Sequence, residues 1–130
     1  MDLQKTILDR GGVRVKLKED NITVSECRVN VSNGIWSISE WFTDRNYRHQ
    51  GYGKQVLQEA FNTLSDEYGS PTEIRYNWNG VNEYVLEWMK RHFAPQSIIS
   101  DVERKYGAEQ SWEAHIFILD KEKVFNYIKE

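Results

Sequence analysis

The sequence predicts one α+β domain spanning residues 1–130, built on a mixed, mostly antiparallel sheet. Three observations carry this prediction. Short runs near both ends alternate apolar and polar residues, as half-buried strands do. Stripes of apolar residues with a period near 3.6 interrupt those runs. A strand-like run also leads through glycines directly into the first helix, so the strand after that helix should return parallel to it.

The elements follow in order. Residues 13–17 (Val-Arg-Val-Lys-Leu) alternate as a strand, and Glu19-Asp20-Asn21 turns into a second strand over 22–31. The apolar phase of that strand moves from Ile22 and Val24 to Cys27, Val29 and Val31, which predicts a bulge near Ser25-Glu26. Asn33-Gly34 is a hairpin signal, so the third strand, 35–43, should pair antiparallel with the second. Val56, Leu57, Ala60, Phe61 and Leu64 stripe the first helix, which Gly69-Ser70-Pro71 ends. A short strand over 73–78 follows, then a helix over 81–93 presenting Val81, Tyr84, Val85, Trp88, Met89 and His92. Residues 97–106 read as strand, Gly107 as a turn, and 112–119 as a further strand. Asp120 caps a last helix that presents Val124, Phe125 and Ile128.

Composition narrows the function classes. Aromatic residues make up 13% of the chain and hydrophobic residues 39%, which argues against disorder. A net charge of -3 argues against nucleic-acid binding through a general basic surface and mildly favours amines as partners. The single cysteine, Cys27, lies in the apolar phase of its strand and reads as core; its solitude suits a reducing, cytoplasmic compartment. No run approaches membrane-spanning length, and no signal-peptide order opens the chain. His49, His92 and His115 show no metal-ligand spacing, so no metal is expected.

Chemistry concentrates in Asn46-Tyr47-Arg48-His49-Gln50-Gly51-Tyr52-Gly53-Lys54-Gln55-Val56-Leu57. Glycines let backbone come close to a ligand. The first N–H groups of a helix lack intrahelical partners, and the helix dipole adds partial positive charge. Together these suit a phosphate or pyrophosphate. The spacing is neither the three-glycine dinucleotide fingerprint nor a P-loop, since no Gly-Lys-Ser/Thr follows.

From Thr43 through Gly53, followed by Lys54-Gln55-Val56-Leu57, the chain resembles the acetyl-CoA signature of the GCN5-related N-acetyltransferases (GNAT). The resemblance covers residues 34–93. It implies an acyl-CoA N-acyltransferase-like fold, with helices on both faces of a sheet splayed at its parallel strand pair. It also implies acetyl-CoA as donor and direct attack by a primary amine of a small molecule or protein. Trp41, Phe42 and Thr43 would then pair with the pantetheine arm. Arg48, His49, Gln50, Gly51, Tyr52, Gly53 and Lys54 would cradle the pyrophosphate, and Asn82 would match the family's asparagine on the next helix.

The catalytic pattern departs from the family. Ser37 stands where many members carry a glutamate base, and a serine can only order a water. Glu40 is the nearby carboxylate, on the opposite pleat unless a bulge re-aims it. The family's tyrosine aligns with Trp88 or Met89, leaving Tyr84 as a substitute. The two helices that wall the acceptor pocket in the family have no room between Leu17 and Ile22. The acceptor site should then be shallow, built by the last helix, or completed by a second protomer in a homodimer. An alternative function stays open: a CoA-binding or protein-interaction module with this fold and little or no catalysis.

Overall fold

The computed structural model describes residues 1–98 and 115–130. Seven strands form one sheet: β1 (Asp2–Ile7), β2 (Gly12–Glu19), β3 (Ile22–Ser32), β4 (Ile35–Thr43), β5 (Glu73–Asn77), β6 (Gln96–Ser97) and β7 (Ile116–Leu119). Their order across the sheet is β1-β2-β3-β4-β5-β7-β6, antiparallel except for the β4–β5 step. Among the described residues, three α-helices pack against it: α1 (Tyr52–Tyr68), α2 (Glu83–His92) and α3 (Lys121–Lys129). The α+β class, the mixed sheet and the parallel step are thus as the sequence predicts.

Local chemistry explains most boundaries. Asn33 and Gly34 both adopt positive φ, 52° and 78°, the geometry of a tight hairpin that keeps the twist of its strands. Asp20 and Asn21 repeat it between β2 and β3, at 51° and 68°. Gly69, with φ 75°, ends α1 and donates its N–H to the Ser65 carbonyl. Asn82 and Asp120 cap α2 and α3 by accepting from the Val85 and Lys123 N–H groups.

One core cluster joins the sheet to all three helices. Val13, Val15, Cys27, Val29, Trp36 and Ile38 supply the strand side, and Val56, Leu57, Ala60, Phe61 and Leu64 the buried stripe of α1. Trp36 meets Phe61 edge-on at 5.2 Å, and Phe125 of α3 packs against both rings. Burial raises the pKa of the Cys27 thiol far above its usual value, so Cys27 is core, as its phase in the sequence implied.

Three sequence expectations need correction. A strand, β1, precedes the first one expected; the first connection is therefore the turn at Leu8–Gly11, not the one after Leu17. That connection also lacks room for helices. The bulge expected near Ser25-Glu26 lies one residue earlier, because Leu17 pairs with Ser25 and Lys18 with Thr23, leaving Val24 as the extra residue. Helix α2 begins after Asn82 rather than at Val81, and buries Val85, Leu86 and Met89 while Val81, Tyr84 and His92 stay exposed. Of the strand expected over 97–106 only residues 97–98 are described, with Ser97 in β6, and the strand expected over 112–119 is present as β7; residues 99–114, including the turn at Gly107, lie outside the described residues.

Candidate acyl-donor and acceptor site

The site begins where β4 and β5 part. Their parallel pairing runs from Ile35↔Glu73 to Ile38↔Tyr76 and stops there, while β4 continues for five more residues paired only to β3. Ser39 is the cause on the β4 side. Val29 pairs with Ile38 and Arg28 with Glu40, so Ser39 is an extra residue that bends the strand and leaves the edge facing β5 unpaired. The bulge also settles the pleat. Ser37 and Glu40 oppose Asn30 and Arg28, two residues apart on β3, so they share one face of the sheet.

Beyond the fork, β4 is held in place. The buried Ser25 hydroxyl donates to the Phe42 carbonyl at 2.9 Å and lies 2.9 Å from the Thr43 hydroxyl. The Trp41 indole N–H donates to the Gly53 carbonyl at 2.9 Å, which pins the first turn of α1 onto the strand. Gly53 is closely approached: a Cβ there would sit 3.0 Å from the Thr43 hydroxyl, which would have to shift by a few tenths of an ångström. Gly51 is different, with open space around its Cα but a φ of 85°, which favours glycine for backbone reasons.

The start of α1 presents backbone amides that nothing in the helix satisfies. No side chain caps it, and its first turn carries no acidic residue. The first intrahelical bond is from the Gln55 N–H to Gly51, so the amides of Tyr52, Gly53 and Lys54 have no helical partner. A cavity of about 170 Å³ opens beside them. Its walls come from the end of β4, the loop, α2 and α3, through Trp41, Arg48, Tyr84, Trp88 and Tyr127 among others. The Arg48 guanidinium lies 4.0 Å from the Tyr84 ring centre, with its Nε donating to the Thr43 carbonyl at 3.2 Å. The Lys54 ammonium lies 5.1 Å from the Tyr127 ring centre. Two cations thus lie beside the start of α1, each resting on a tyrosine face.

Trp41, Phe42, Thr43, Arg48, His49, Gly51, Tyr52, Gly53 and Lys54 all line this cavity. Gln50 is exposed and does not line it. Asn82 caps α2 and lines a second, smaller cavity of about 80 Å³ at the fork, together with Ser39, Glu40, Tyr76, Asn77 and Asn79. The two cavities share Trp41 and Phe42. Of the candidate catalytic groups, Glu40 is in the smaller cavity, Tyr84 in the larger, and Ser37 in neither. Burial, then the nearby Glu40 charge, pushes the Tyr76 hydroxyl up to about 12. Met89 is fully buried, and Trp88 is packed among Trp41, His92, Phe93 and Tyr127, so neither replaces the tyrosine that the family carries on this helix.

Several lining residues escaped the sequence reading. Tyr47 and Tyr127 reach the larger cavity from the turn before α1 and from α3, and Tyr76, Asn77 and Asn79 reach the smaller one. The only sequence signal for Asn77 and Asn79 was their density beside Asn82, which helix capping alone would explain.

No protein-family model matches the chain, and no curated protein matches it. Solved structures do. Over 88% of its length the chain superposes on an acetyltransferase of the GNAT family from Staphylococcus aureus, covering 72% of that protein at 14% identity and a TM-score of 0.61. Likewise, 84% superposes on a GNAT family acetyltransferase from Elizabethkingia anophelis with acetyl-CoA bound, covering 74% of it at 16% identity and a TM-score of 0.51. The PaiA N-acetyltransferase of Thermoplasma acidophilum, in complex with coenzyme A, aligns with 82% of the chain at 13% identity and a TM-score of 0.53. The fold is that of the GCN5-related N-acetyltransferases. The chain spans only 57% of the Thermoplasma protein and 62% of a Bacillus anthracis protein in complex with acetyl coenzyme A. Among the described residues, no helix is long and apolar enough to cross a membrane, and no group of three or more His, Cys, Asp and Glu could hold a metal.

Proposed function

We propose that the chain is an acetyl-CoA-dependent N-acetyltransferase. The observation that carries this reading is the pair of cavities that meet at Trp41 and Phe42, one beside bare helix amides and the other beside a carboxylate. The pyrophosphate would sit on the amides of Tyr52, Gly53 and Lys54, with Arg48 and Lys54 supplying charge. The pantetheine arm, rich in amides, would pair with the open edge of Trp41, Phe42 and Thr43 as an added strand.

Transfer then needs little covalent chemistry from the protein. The amine gives up a proton to Glu40 or to a water on it, and its lone pair attacks the thioester carbonyl carbon. A backbone N–H of the bulged strand stabilises the oxyanion. As that intermediate collapses, the C–S bond breaks and the thiolate leaves, taking up a proton from water. The complex would be ternary, because the two cavities adjoin at Trp41 and Phe42. Solved structures of the same fold in complex with CoA or acetyl-CoA support the donor.

The decisive test is melting of the purified protein with acetyl-CoA, ATP and NAD, followed by free-thiol release with an amine panel. At free ligand about a hundred times the dissociation constant, binding adds roughly 2.7 kcal/mol, a rise on the order of 10 °C at this size. A rise with acetyl-CoA alone, then amine-dependent thiol release, is the expected result; no rise with any acyl-CoA rejects the reading. A rise without turnover would favour the CoA-binding module instead, which the absence of a tyrosine at Trp88 or Met89 supports.

The same assay tests the base. Glu40→Gln should lower the rate at saturating amine by roughly 10²-fold or more while the acetyl-CoA melting shift stays unchanged. An unaltered rate would assign deprotonation to a water held elsewhere, with Ser37 the next residue to vary.

A further inference from the structure

At one edge of the sheet the backbone is left open. Among the described residues β1 pairs only with β2, and all six of its residues are exposed. The direction of its open groups follows from the ladder. The Leu8 N–H donates to the Gly12 carbonyl, continuing the register that pairs Thr6 with Arg14 and Gln4 with Lys16. Backbone groups alternate along a strand, so Asp2, Gln4 and Thr6 turn theirs toward β2, and Leu3, Lys5 and Ile7 turn theirs outward. The bond from the Val31 N–H to the Gly11 carbonyl fixes the same alternation from the other side of β2, where the odd-numbered residues serve β3.

A free edge invites another strand, and proteins usually blunt it with proline, a bulge or an outward-pointing charge. Little of this protects β1. It contains no proline, and its register against β2 runs without a shift from Asp2↔Lys18 to Ile7↔Val13. Its central charge, Lys5, is drawn back over the sheet to Glu59 at 3.4 Å and to the Thr63 hydroxyl at 3.3 Å. The side chains flanking Lys5 on that face, Leu3 and Ile7, are apolar and 40% and 60% exposed.

We propose that β1 pairs with β1 of a second copy of the chain, antiparallel about a two-fold axis at Gln4, joining two seven-stranded sheets into one. Outward-facing groups must meet outward-facing groups, which limits the registers to those centred on a residue. Centred on Gln4, Leu3 exchanges both backbone hydrogen bonds with the partner's Lys5, and Lys5 with the partner's Leu3. The side chains then match. Leu3 lies against the aliphatic stem of the partner's Lys5, Met1 faces the partner's Ile7, and Asp2 faces the partner's Thr6. Centred on Lys5 instead, two ammonium groups would oppose each other; centred on Leu3, Thr6 and Ile7 would have no partner. The strand thus matches its own reverse, so a second copy needs nothing that the chain lacks. Such an isologous contact closes on itself and stops at two copies. β1 stands three strands from β4, so the pairing is independent of any ligand in the cavities.

Sedimentation velocity over a dilution series, paired with cysteine crosslinking, tests this. The unmodified chain should reach twice its own mass at the concentrated end and dissociate reversibly on dilution. Leu3→Pro removes an outward N–H and spares the β2 ladder, because an edge strand tolerates proline where its N–H faces solvent. It should weaken the dimer roughly tenfold or more, while melting as a dilute, monomeric wild type does. For the register, Gln4→Cys sets two thiols directly opposite, in a non-hydrogen-bonded pair with Cα atoms about 4.5 Å apart, within disulfide reach. Thr6→Cys leaves its thiols four residues apart along the strands, about 13 Å, out of reach. Cys27, the one native cysteine, is buried and does not compete. Rapid oxidation to a covalent dimer is expected for Gln4→Cys and not for Thr6→Cys. A monomer at every concentration, a dimer that Leu3→Pro leaves unchanged, or equal crosslinking at positions 4 and 6 would each overturn the pairing. The crosslinking arm decides the matter even if Leu3→Pro does not fold.

Discussion

Gly51→Asp is expected to abolish the acetyl-CoA melting shift, a loss on the order of 10 °C of ligand-dependent stabilisation under the conditions above. The reasoning starts from what surrounds the residue. No atom lies within 4 Å of a Cβ built at Gly51, so an added side chain displaces nothing in the free protein. Its φ of 85° is left-handed, which costs an ordinary residue about 1–2 kcal/mol but Asp and Asn less, because they visit that region readily. The free protein should therefore melt within a few degrees of wild type. What changes is the field: a negative charge now occupies the approach to the Tyr52, Gly53 and Lys54 amides, where a pyrophosphate would have to sit. Gly51→Asn carries the same shape and backbone demand without the charge, and should keep much of the shift. If aspartate and asparagine bind acetyl-CoA alike, the start of α1 is not the pyrophosphate site.

Helix α1 and the turns around it were legible because each rests on local signals. A five-residue apolar stripe, Asn33-Gly34 and Gly69 act within a few residues of sequence, and the structure uses each as expected. Strand β1 was not legible for an equally physical reason. All six of its residues are exposed at the sheet edge, with Lys5 between Leu3 and Ile7 on the face toward α1, where its ammonium reaches Glu59. Such a strand has no buried face to leave an alternating pattern. For α2, the stripe was one position out. Val81 precedes the cap and is 80% exposed, while Tyr84 is turned outward beneath Arg48.

The candidate site divides along the same line. The loop and glycines of the larger cavity are contiguous in sequence, so a motif could point to them. The smaller cavity is a product of register. Glu40 reaches it only because Ser39 is extra against β3, and Asn77 only because β5 outruns its pairing with β4 by one residue. Neither fact is encoded in any short window. The carboxylate left on the wrong pleat by simple alternation is the one that the bulge brings to the face of Ser37.

Trp41 is where fold and site depend on a single side chain, and its replacement should separate the two roles. The ring is about nine-tenths buried, meets Trp88 edge-on at 5.1 Å and stacks on Phe93 at 6.3 Å. Trp41→Ala removes these contacts at the junction of β4, α1 and α2 and should cost about 3–5 kcal/mol in denaturant unfolding. Trp41→Phe keeps much of the ring packing but loses the indole N–H, leaving the Gly53 carbonyl with only its helical donor, a loss of about 1 kcal/mol. That carbonyl belongs to the first turn of α1, whose amides form the proposed anion seat. Once unpinned, the turn can shift against Thr43, and a seat made of backbone tolerates little displacement. Trp41→Phe should therefore weaken acetyl-CoA binding by more than its small stability loss implies. If Trp41→Phe binds acetyl-CoA as wild type does, the indole bond serves only the fold; if Trp41→Ala unfolds with a loss under about 1 kcal/mol, the junction is not part of the cooperative core.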